Sequence, residues 1–405
     1  MTTIKDQVAA EATMAEREWT NVIGAAMAGV ANCSARREPR LPAREMCEAM
    51  LMELDTRNCW TLAEALGHCG PHRLQHFLAR ARIDRDPARD GLAAWITSEL
   101  ADDQAVLVVD ETGDEKSSGD AVGAAHQYSG ALGGVGLCQV AVHLTYASRR
   151  GHAMIDRELY LPAAWAADEE RRLLAHVPGE REFATKPQLA ADMLERARAR
   201  GVRARRLAGG EVYGGRELRL PARRMGFDYA MAVKTDRRVT TSAGTFTAAE
   251  LAGRIPRNAW ARMRTGRGLK GDRHYDWALL GVPADDTPTG HAAGHSHLVI
   301  RRHRYTGELS CYRCHSATAV ALATQGRLVP ISPRELLRLL RATVLPSPRR
   351  NLDHPAALVR LAPRTPAPCG RSKPPLEQRH RRRDDMTPRA WSRTTAAVSE
   401  SWPCG

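Results

Sequence analysis

The stretch VLVVDETG, residues 106–113, runs from four apolar side chains directly into two adjacent acids and a glycine. A short, continuous apolar run rich in β-branched residues predicts a central strand that is covered on both faces. Carboxylates at the end of such a strand are costly to bury unless they are paired or hold a metal ion. Two interpretations are open: the strand runs out into a polar surface turn that Gly113 breaks, or Asp110 is held at the carboxyl edge of a sheet to bind a metal.

The segments around this strand predict a mixed α/β sheet. Further strand candidates are LCQVAVHLTYAS, HAMIDRELYLP, ARRLAGGEV and DYAMAVKTD, and the glycine-rich phrase SGALGGVG precedes the first of them. The helical phrase KPQLAADMLERARARG separates the second from the third, beginning near Pro187 and ending on Gly201. Three strands in sequence followed by helical crossovers favour a mixed sheet. Near the end, HSHLVIRRHR and ELSCYRCHS predict a hairpin around residues 305–307, with a helix, SPRELLRLLRATVL, at 332–345.

The N-terminal region is predicted to be helical, with a helix-turn-helix outline. Apolar residues recur at three- and four-residue spacing in PAREMCEAMLMELD and DGLAAWITSEL. Between them lie a short amphipathic helix, a turn at residues 68–70 and a second helix with Pro71 at its start. One interpretation is that this second helix enters a major groove, and the other is two packed helices of an ordinary bundle. The candidate DNA-binding residues on it are Arg73, Gln75, His76 and Arg80.

The charge balance favours a polyanionic partner. The 405 residues carry a formal net charge of +14 and a pI near 9.8, which favours nucleic acid before a membrane surface. Arginine supplies 54 of the 60 basic residues, and its guanidinium suits phosphates and guanine edges. Codon bias in a GC-rich genome explains the arginines equally well, because alanine and glycine also abound.

The sequence contains no obvious membrane or export signal. No segment approaches the ~18 consecutive apolar residues that a membrane span needs, and the N-terminus lacks an apolar signal core. Nine cysteines are scattered without a disulfide framework, which is typical of reduced thiols. We therefore expect a cytoplasmic, nucleoid-associated protein without a membrane partner.

Two further patterns suggest chemistry less strongly. CYRCH, residues 311–315, has the spelling of a haem-attachment motif, but it lies inside a strand pattern, so two thiols and a histidine on a strand are the default interpretation. The basic stretch RTGRGLKGDRHYDW, residues 264–277, interleaves aromatic and charged residues. It favours either a solvated face or a nucleic-acid contact.

Several phrases resemble, in order, the catalytic domain of DDE-superfamily transposases of bacterial insertion sequences. They are VVDETGDEKSS, HQYSGALGGVGLCQVAVHLTYASRRGHAMIDRELYLPAAW, TKPQLAADMLERA, AGGEVYGG, YAMAVKTD and KGDRHYDWAL. The resemblance covers roughly residues 25–322, and TLAEALGHCGPHRLQHFLARA also resembles the N-terminal part of that family.

The resemblance implies an RNase H-like sheet and metal-dependent cutting and joining of DNA. In that family three acids hold two divalent ions, Mg²⁺ or Mn²⁺, that clamp the attacking and leaving oxygens of an in-line phosphoryl transfer. The first acid ends the first strand, the second ends the fourth strand, and the third comes from a later helix. The resemblance implies that Asp110 is a catalytic residue and the first metal ligand, with residues 111–113 turning the chain away from it.

The sequence departs from the family pattern at both other acids. Where the family has G-D-E-V-Y-G, this chain has GGEVYG, so Gly210 stands at the second acid. The neighbouring Glu211 is a weak catalytic candidate, because adjacent residues of a strand point to opposite faces. The third acid normally follows the ELSCYRC strand, but here SATAVALATQ runs straight into GRLVPISPRELLRLL, so that block is deleted.

These observations predict an insertion-sequence transposase that has lost catalysis; the alternative is a non-catalytic DNA-binding protein that occupies the element ends. The expected partners are the terminal inverted repeats and a second copy of the chain. Residues 1–100 are predicted to form the DNA-contacting region and residues 101–325 the RNase H-like domain, with 237–294 as an irregular insertion. Residues 326–345 are predicted to be a remnant helix and 346–405 a disordered tail rich in proline and arginine.

Overall fold

β1 (Val106–Glu115) lies in the middle of a large mixed sheet. The computed structural model describes residues 19–34, 36–268 and 271–317, with residues 264–268 and 271–273 described by their backbone alone. The other strands are β2 (Ala125–Ser129), β3 (Gly134–Ala147), β4 (His152–Leu159), β5 (Arg206–Gly209), β6 (Asp228–Val233), β7 (Arg238–Thr241), β8 (Gly244–Thr247), β9 (Ala261–Gly268), β10 (Gly271–Gly281), β11 (His295–His303) and β12 (Leu309–Ser316).

Helices precede the sheet and connect its strands. Residues 19–30 are helical, and the helices that follow are α1 (Arg40–Leu51), α2 (Cys59–Ala65), α3 (His72–Arg80), α4 (Arg85–Glu99), α5 (Ala163–Ala167), α6 (Glu169–Leu174), α7 (Lys186–Ala199), α8 (Arg216–Arg224) and α9 (Ala248–Arg254). One-turn 3₁₀ helices lie at Ala31–Cys33, Glu211–Tyr213 and Arg257–Ala259. In the part of the chain that the structure describes, none of the helices is long and apolar enough to cross a membrane.

The sheet has the RNase H-like arrangement that the resemblance implies. β1 pairs antiparallel with β3, which pairs antiparallel with β4, while β5 and β6 continue the other side of β1 in parallel. β12, β11, β10 and β9 then extend the sheet beyond β6 in antiparallel order. The prediction of a mixed α/β sheet with N-terminal helices is therefore confirmed.

The main core lies on one face of this sheet. Alternate residues of β1 and β3 point to that face, and Val109, Val142 and Leu144 are fully buried there. They pack against α7, whose Met193 and Leu194 are also fully buried, and against side chains of α4 and α8. This burial of alternate residues fixes the register of β1, since a slip of one residue would turn every side chain to the other face.

Two expectations about chain path are wrong. β1 does not end at Asp110 but continues through Glu115, paired with β3 along its whole length. Gly113 therefore breaks no strand. It lies opposite Val140 of β3. An added Cβ would come within 2.3 Å of Ser129 Oγ, so the absence of a side chain at Gly113 leaves room for Ser129 of β2.

Residues 237–294 are also more regular than predicted. They form the β7–β8 hairpin, α9, and the strands β9 and β10, which extend the main sheet. Basic and glycine residues make up most of β9 and the first half of β10, and they obscure two short strand signals, the alternation at 261–264 and the apolar run at 277–280. CYRCH lies inside β12 as expected, and its two cysteines are free thiols. The predicted helix at 332–345, the remnant segment and the tail lie outside the described residues.

Candidate active site

Asp110 lies on the open face of β1, opposite to the face that packs on the helices. Its side chain is exposed, and its Oδ1 accepts the backbone N–H of Glu111 at 2.9 Å. The antiparallel register pairs Asp110 with His143 of β3, so both side chains point to this face. Thr112 lies on the same face, with its Oγ1 2.7 Å from His143 Nε2. Three polar side chains thus meet where the resemblance implies the first acid.

His143 is held there as a half-buried imidazole. Its Nδ1 is buried and has no hydrogen-bond partner among the described residues. Burial lowers the pKa of His143, while the charge of Asp110 acts to raise it and that of Arg157 acts to lower it further. The ring is therefore predominantly neutral at neutral pH, and its bond to Thr112 leaves Nδ1 unengaged.

Gly210 directly follows β5, the strand that pairs in parallel with β1 up to Val109, the residue before Asp110. Val109 pairs in parallel with Gly209, so residues 110 and 210 occupy the next register position and share a face. The backbone at Gly210 is extended, with φ −70° and ψ −178°, and an added Cβ would meet no heavy atom within 4 Å. Both the space and the backbone conformation at Gly210 would therefore admit a carboxylate side chain.

Glu211 does not occupy the place expected of it. β5 ends at Gly209, and Glu211 begins the 3₁₀ turn Glu211–Tyr213, so the argument from strand alternation had a wrong premise. Its side chain is exposed, and its charge acts on Cys311 of β12. Burial, and then the charge of Glu211, raise the pKa of Cys311 to about 11.

Glu111, the second acid of the opening phrase, has a structural role on the core face. It accepts hydrogen bonds from Lys186 Nζ at 2.9 Å and from Tyr213 Oη at 2.6 Å. Burial raises the pKa of Tyr213, and the hydrogen bond and charge of Glu111 raise it further. The acid therefore ties β1 to the start of α7 and to the turn after β5, which keeps Asp110 and Gly210 side by side.

Comparison with known families decides what this arrangement belongs to. The model of a family described as DDE superfamily endonuclease matches residues 29–264, more than half of the 405 residues. The chain is a member of the DDE superfamily endonucleases. A search of curated proteins gave no match.

DDE superfamily endonucleases generally use divalent metal ions, and a two-ion site needs several converging oxygen ligands. Among the described residues, no group of three or more histidine, cysteine or acidic side chains is placed to hold a metal ion. Asp110 retains a free carboxylate oxygen, but Gly210 offers none. The third acid implied by the resemblance falls beyond residue 317, outside the described residues. The described part of this endonuclease therefore does not fit a two-metal centre.

A buried ion network holds the segment that follows Gly210, and no sequence pattern indicated this network. Arg219 of α8 is fully buried and forms a two-pronged bond with Asp285, at 2.6 and 2.9 Å. Asp286 is also fully buried; it accepts from Arg219 at 3.0 Å and from Arg223 at 2.9 Å, and Tyr229 donates to it. Arg219 Nε further donates to the carbonyl of Gly214 at 3.0 Å.

This network lowers the pKa of one of its acids. Burial acts to raise the pKa of Asp285, but the hydrogen bonds and charges of Arg219 and Arg313 outweigh it and hold the pKa well below its usual range. Because α8 and the turn before it are locked to residues 285 and 286, the edge of the sheet that carries Gly210 is stiff.

The helix-turn-helix-like segment has the expected layout. Leu62, Ala63 and Leu74 form a small core between α2, α3 and α1. The turn after α2 places Gly67 at φ 75°, a left-handed conformation that glycine adopts without strain. α2, the turn and α3 thus follow one another as the spacing predicted.

The exposed side of α3 carries the four candidate DNA-binding residues, which are Arg73, Gln75, His76 and Arg80. They do not contribute equal free charge: Arg73 Nε is 3.1 Å from Glu45, whereas no described carboxylate pairs with Arg80. Beside them lies a cleft of about 990 Å³ whose lining includes Arg36, Arg73, Arg80 and Arg82, with Glu38 as its acid. The concave surface is therefore basic.

Proposed function

We propose that this DDE superfamily endonuclease is an insertion-sequence transposase that still binds the ends of its element but no longer cuts DNA. The observation that carries the proposal is Gly210, which stands in register with Asp110 and supplies no side-chain oxygen. Asp110 is then the surviving catalytic acid and metal ligand, and Glu211 is a weak substitute because it lies in a turn and not in the strand.

The loss of the second acid is expected to abolish cleavage. Metal ions that clamp an in-line phosphoryl transfer stabilise the transition state by on the order of several kcal/mol, and each ~1.4 kcal/mol is a factor of ten in rate. A Mg²⁺ or Mn²⁺ ion that keeps only Asp110 as a protein ligand would be under-coordinated and badly placed. The rate of strand cleavage should therefore fall by several powers of ten.

DNA binding depends on different residues and should survive. α3 presents Gln75 and His76 near its exposed start and Arg80 at its end, beside the basic cleft. Residues at the start of such a helix are placed to contact base edges, and arginines beside it to contact phosphates. The second candidate function, a non-catalytic protein that occupies the terminal repeats, is favoured by this same cleft. Such a protein and a transposase that has lost cleavage have the same present activity, which is DNA binding, and differ only in their evolutionary history.

A nicking assay tests the proposal directly. The chain is incubated with supercoiled plasmid and with duplex DNA carrying terminal repeats, in Mg²⁺ and then in Mn²⁺, beside Asp110→Ala. The expected result is a shift in electrophoretic mobility without nicked product for both proteins. Nicking by the unaltered chain that disappears in Asp110→Ala would overturn the inactive assignment.

Salt dependence tests the binding surface. Neutralising about six phosphates gives a slope near −5 for the logarithm of the binding constant against that of salt concentration. Arg80→Ala should reduce this slope by about 1. Arg73→Ala should reduce it less, because its charge is already shared with Glu45. Arg238→Ala, at an exposed position of β7, is the matched control and should leave it unchanged. A flat salt response would argue against DNA binding altogether.

A further inference from the structure

A chain of aromatic rings leads out to the turn between β11 and β12. Its members are Trp277, Tyr275, His303 and Tyr305, with centroids 6.4, 5.4 and 5.9 Å apart in that order. Each neighbouring pair meets edge to face. Trp277 is fully buried, whereas Tyr305 is 83% exposed. These four rings, called the aromatic ladder below, therefore run from the core into solvent.

The register of the strands and the turn hold the ladder in place. Tyr275 of β10 pairs with His303 of β11, so their rings lie on one face. At the turn, Thr306 N–H donates to His303 Nδ1 at 3.1 Å, and Gly307 has a left-handed φ of 72°. This geometry positions Tyr305 at the end of the ladder, although little packs against its ring.

Two arginines accompany the ladder without acidic partners. Arg301 lies 4.6 Å from the centre of the Tyr275 ring and donates to Ser310 Oγ at 2.8 Å. Arg304 lies 5.9 Å from the Tyr305 ring. Among the described residues no carboxylate pairs with either guanidinium. By contrast, Arg302 on the other face has a carboxylate partner, Asp276, which it shares with Arg262.

A purely structural role accounts for the inner ladder but not for its end. The buried Trp277 and the half-buried Tyr275 pack within the sheet and stabilise it. Tyr305 is too exposed to contribute much apolar burial, and Arg304 gains little from a contact in open solvent. An exposed ring beside Arg304, with the second unpaired cation, Arg301, over the inner ring of Tyr275, matches a ligand with flat faces and negative charges.

We propose that the outer end of the aromatic ladder binds an unpaired DNA strand, with a base stacked on Tyr305 and the flanking phosphates bound by Arg301 and Arg304. The inference rests on the proposed function for the identity of the nucleic acid. A duplex hides its base faces within the stack, so a flat exposed ring can use only a strand whose bases are free. A duplex that is partly opened exposes such unpaired segments, and the turn between β11 and β12 would hold one.

Fluorescence anisotropy with labelled strands tests the proposal on the full chain. The probes are a short oligothymidine, an oligouridine of equal length and a duplex. Base–aromatic stacking contributes about 1–3 kcal/mol per base, so Tyr305→Ala should weaken oligothymidine binding by about 5- to 150-fold. Tyr305→Phe should retain most of the affinity. Because Tyr305 is exposed, none of these changes should alter the thermal midpoint.

Matched controls separate this surface from general charge and exposure. Tyr128→Ala removes another exposed tyrosine, 64% exposed on β2, and should leave oligothymidine binding unchanged. Arg304→Ala should weaken binding of the single strand more than Arg238→Ala does. Duplex binding should stay within twofold for every ladder variant.

The outcomes also distinguish the two proposals. Equal oligothymidine affinity for Tyr305→Ala and Tyr128→Ala would overturn the ladder, whatever the duplex result. Tighter, Tyr305-dependent binding of oligouridine would overturn the assignment to DNA. Tyr305-dependent binding of oligothymidine without any duplex binding would support the ladder and contradict binding to element ends. A further outcome would be that single strands do not bind, while duplex binding is lost in Arg80→Ala and unchanged in Tyr305→Ala. That outcome would support the proposed function and overturn the ladder.

Discussion

Replacing Gly210 with aspartate should place a second carboxylate next to Asp110 without disturbing the fold. An added Cβ at Gly210 meets no heavy atom within 4 Å, and its φ of −70° suits any residue. Asparagine at the same position has nearly the same shape and no charge. Gly210→Asp and Gly210→Asn therefore form a matched pair whose difference is one negative charge beside Asp110.

The size of the effect follows from the spacing of the strands. Neighbouring strands lie about 4.8 Å apart, and two unit charges at that separation repel by ~0.9 kcal/mol in water and ~3.5 kcal/mol at an effective dielectric constant of 20. Asp110 is exposed, so we expect a value near 1 kcal/mol at neutral pH. That corresponds to a fall of about 2–4 °C in the thermal midpoint of a domain of this size.

The pH dependence has a definite sign. Repulsion makes the carboxyl pair of Gly210→Asp hold a proton to higher pH in the folded chain than in the unfolded chain. The folded state then binds more protons just above the unfolded carboxyl pKa of about 4, and stability falls as pH rises through that window. The deficit relative to Gly210→Asn should therefore be present at pH 7 and vanish at low pH.

Thermal melts with chelator and with Mn²⁺, beside titration calorimetry, measure both effects. Mn²⁺ should remove the loss of stability of Gly210→Asp relative to Gly210→Asn. Mn²⁺ should also bind more tightly to Gly210→Asp than to Gly210→Asn. Adding Asp110→Ala should abolish the difference. Plasmid nicking should stay absent, because the proposed function has the third acid missing as well. Identical melts and Mn²⁺ titrations for the two variants would refute the placement of residue 210 beside Asp110, and nicking by Gly210→Asp would refute the need for a third acid.

Three further predictions concern the framework of the site. Asp286→Ala strips a fully buried arginine of a partner and should cost about 3–5 kcal/mol in denaturant unfolding, whereas Glu48→Ala, at an exposed helix pair, should cost about 0–1 kcal/mol; equal losses would contradict this. Because the pKa of Asp285 is depressed, its stabilisation is present above the unfolded pKa and lost as pH falls through the folded value, so Asp285→Asn should flatten the acid limb of a stability–pH curve. Gly113→Ala should cost about 1–3 kcal/mol through overlap with Ser129, and Ser129→Gly should restore most of it; a melt unchanged by Gly113→Ala would argue against this close approach.

The sequence predicted those parts of the fold whose local signals agree with burial. The apolar run before Asp110 became the central strand, and the phrase TKPQ became a helix start in which Thr185 and Gln188 cap each other. β9 and β10 were missed because their strand signals are short, four residues in each, and lie among basic residues and glycines. They form strands because β10 pairs with β11 and β9 pairs with β10. Such tertiary pairing is not contained in the intrinsic strand propensity of the residues.

Asp110 and Gly210 stay predictions from the family phrase, and the structure adds the side chains around them. Asp110 lies within β1, and Gly210 directly follows β5. His143 could not be found in advance, because its approach to Asp110 depends on a register between strands 33 positions apart in the chain. The buried Arg219 was equally hidden, since in a chain with 54 arginines nothing marks those that are buried, which among the described residues also include Arg223 and Arg313.

Under the proposed function, the two acids of the opening phrase explain how such a chain could lose a reaction and keep its fold. Glu111 faces the core and bonds Lys186 and Tyr213, so its loss would leave buried donors unsatisfied and destabilise the sheet. Asp110 and residue 210 face the open side, where Gly210 has empty space around it. Acids held side by side for a metal repel one another when no metal is bound, so replacing one by glycine removes a cost to folding. Loss of an acid at residue 210 therefore does not lower the stability of the fold, and only selection for cleavage could have kept an acid there.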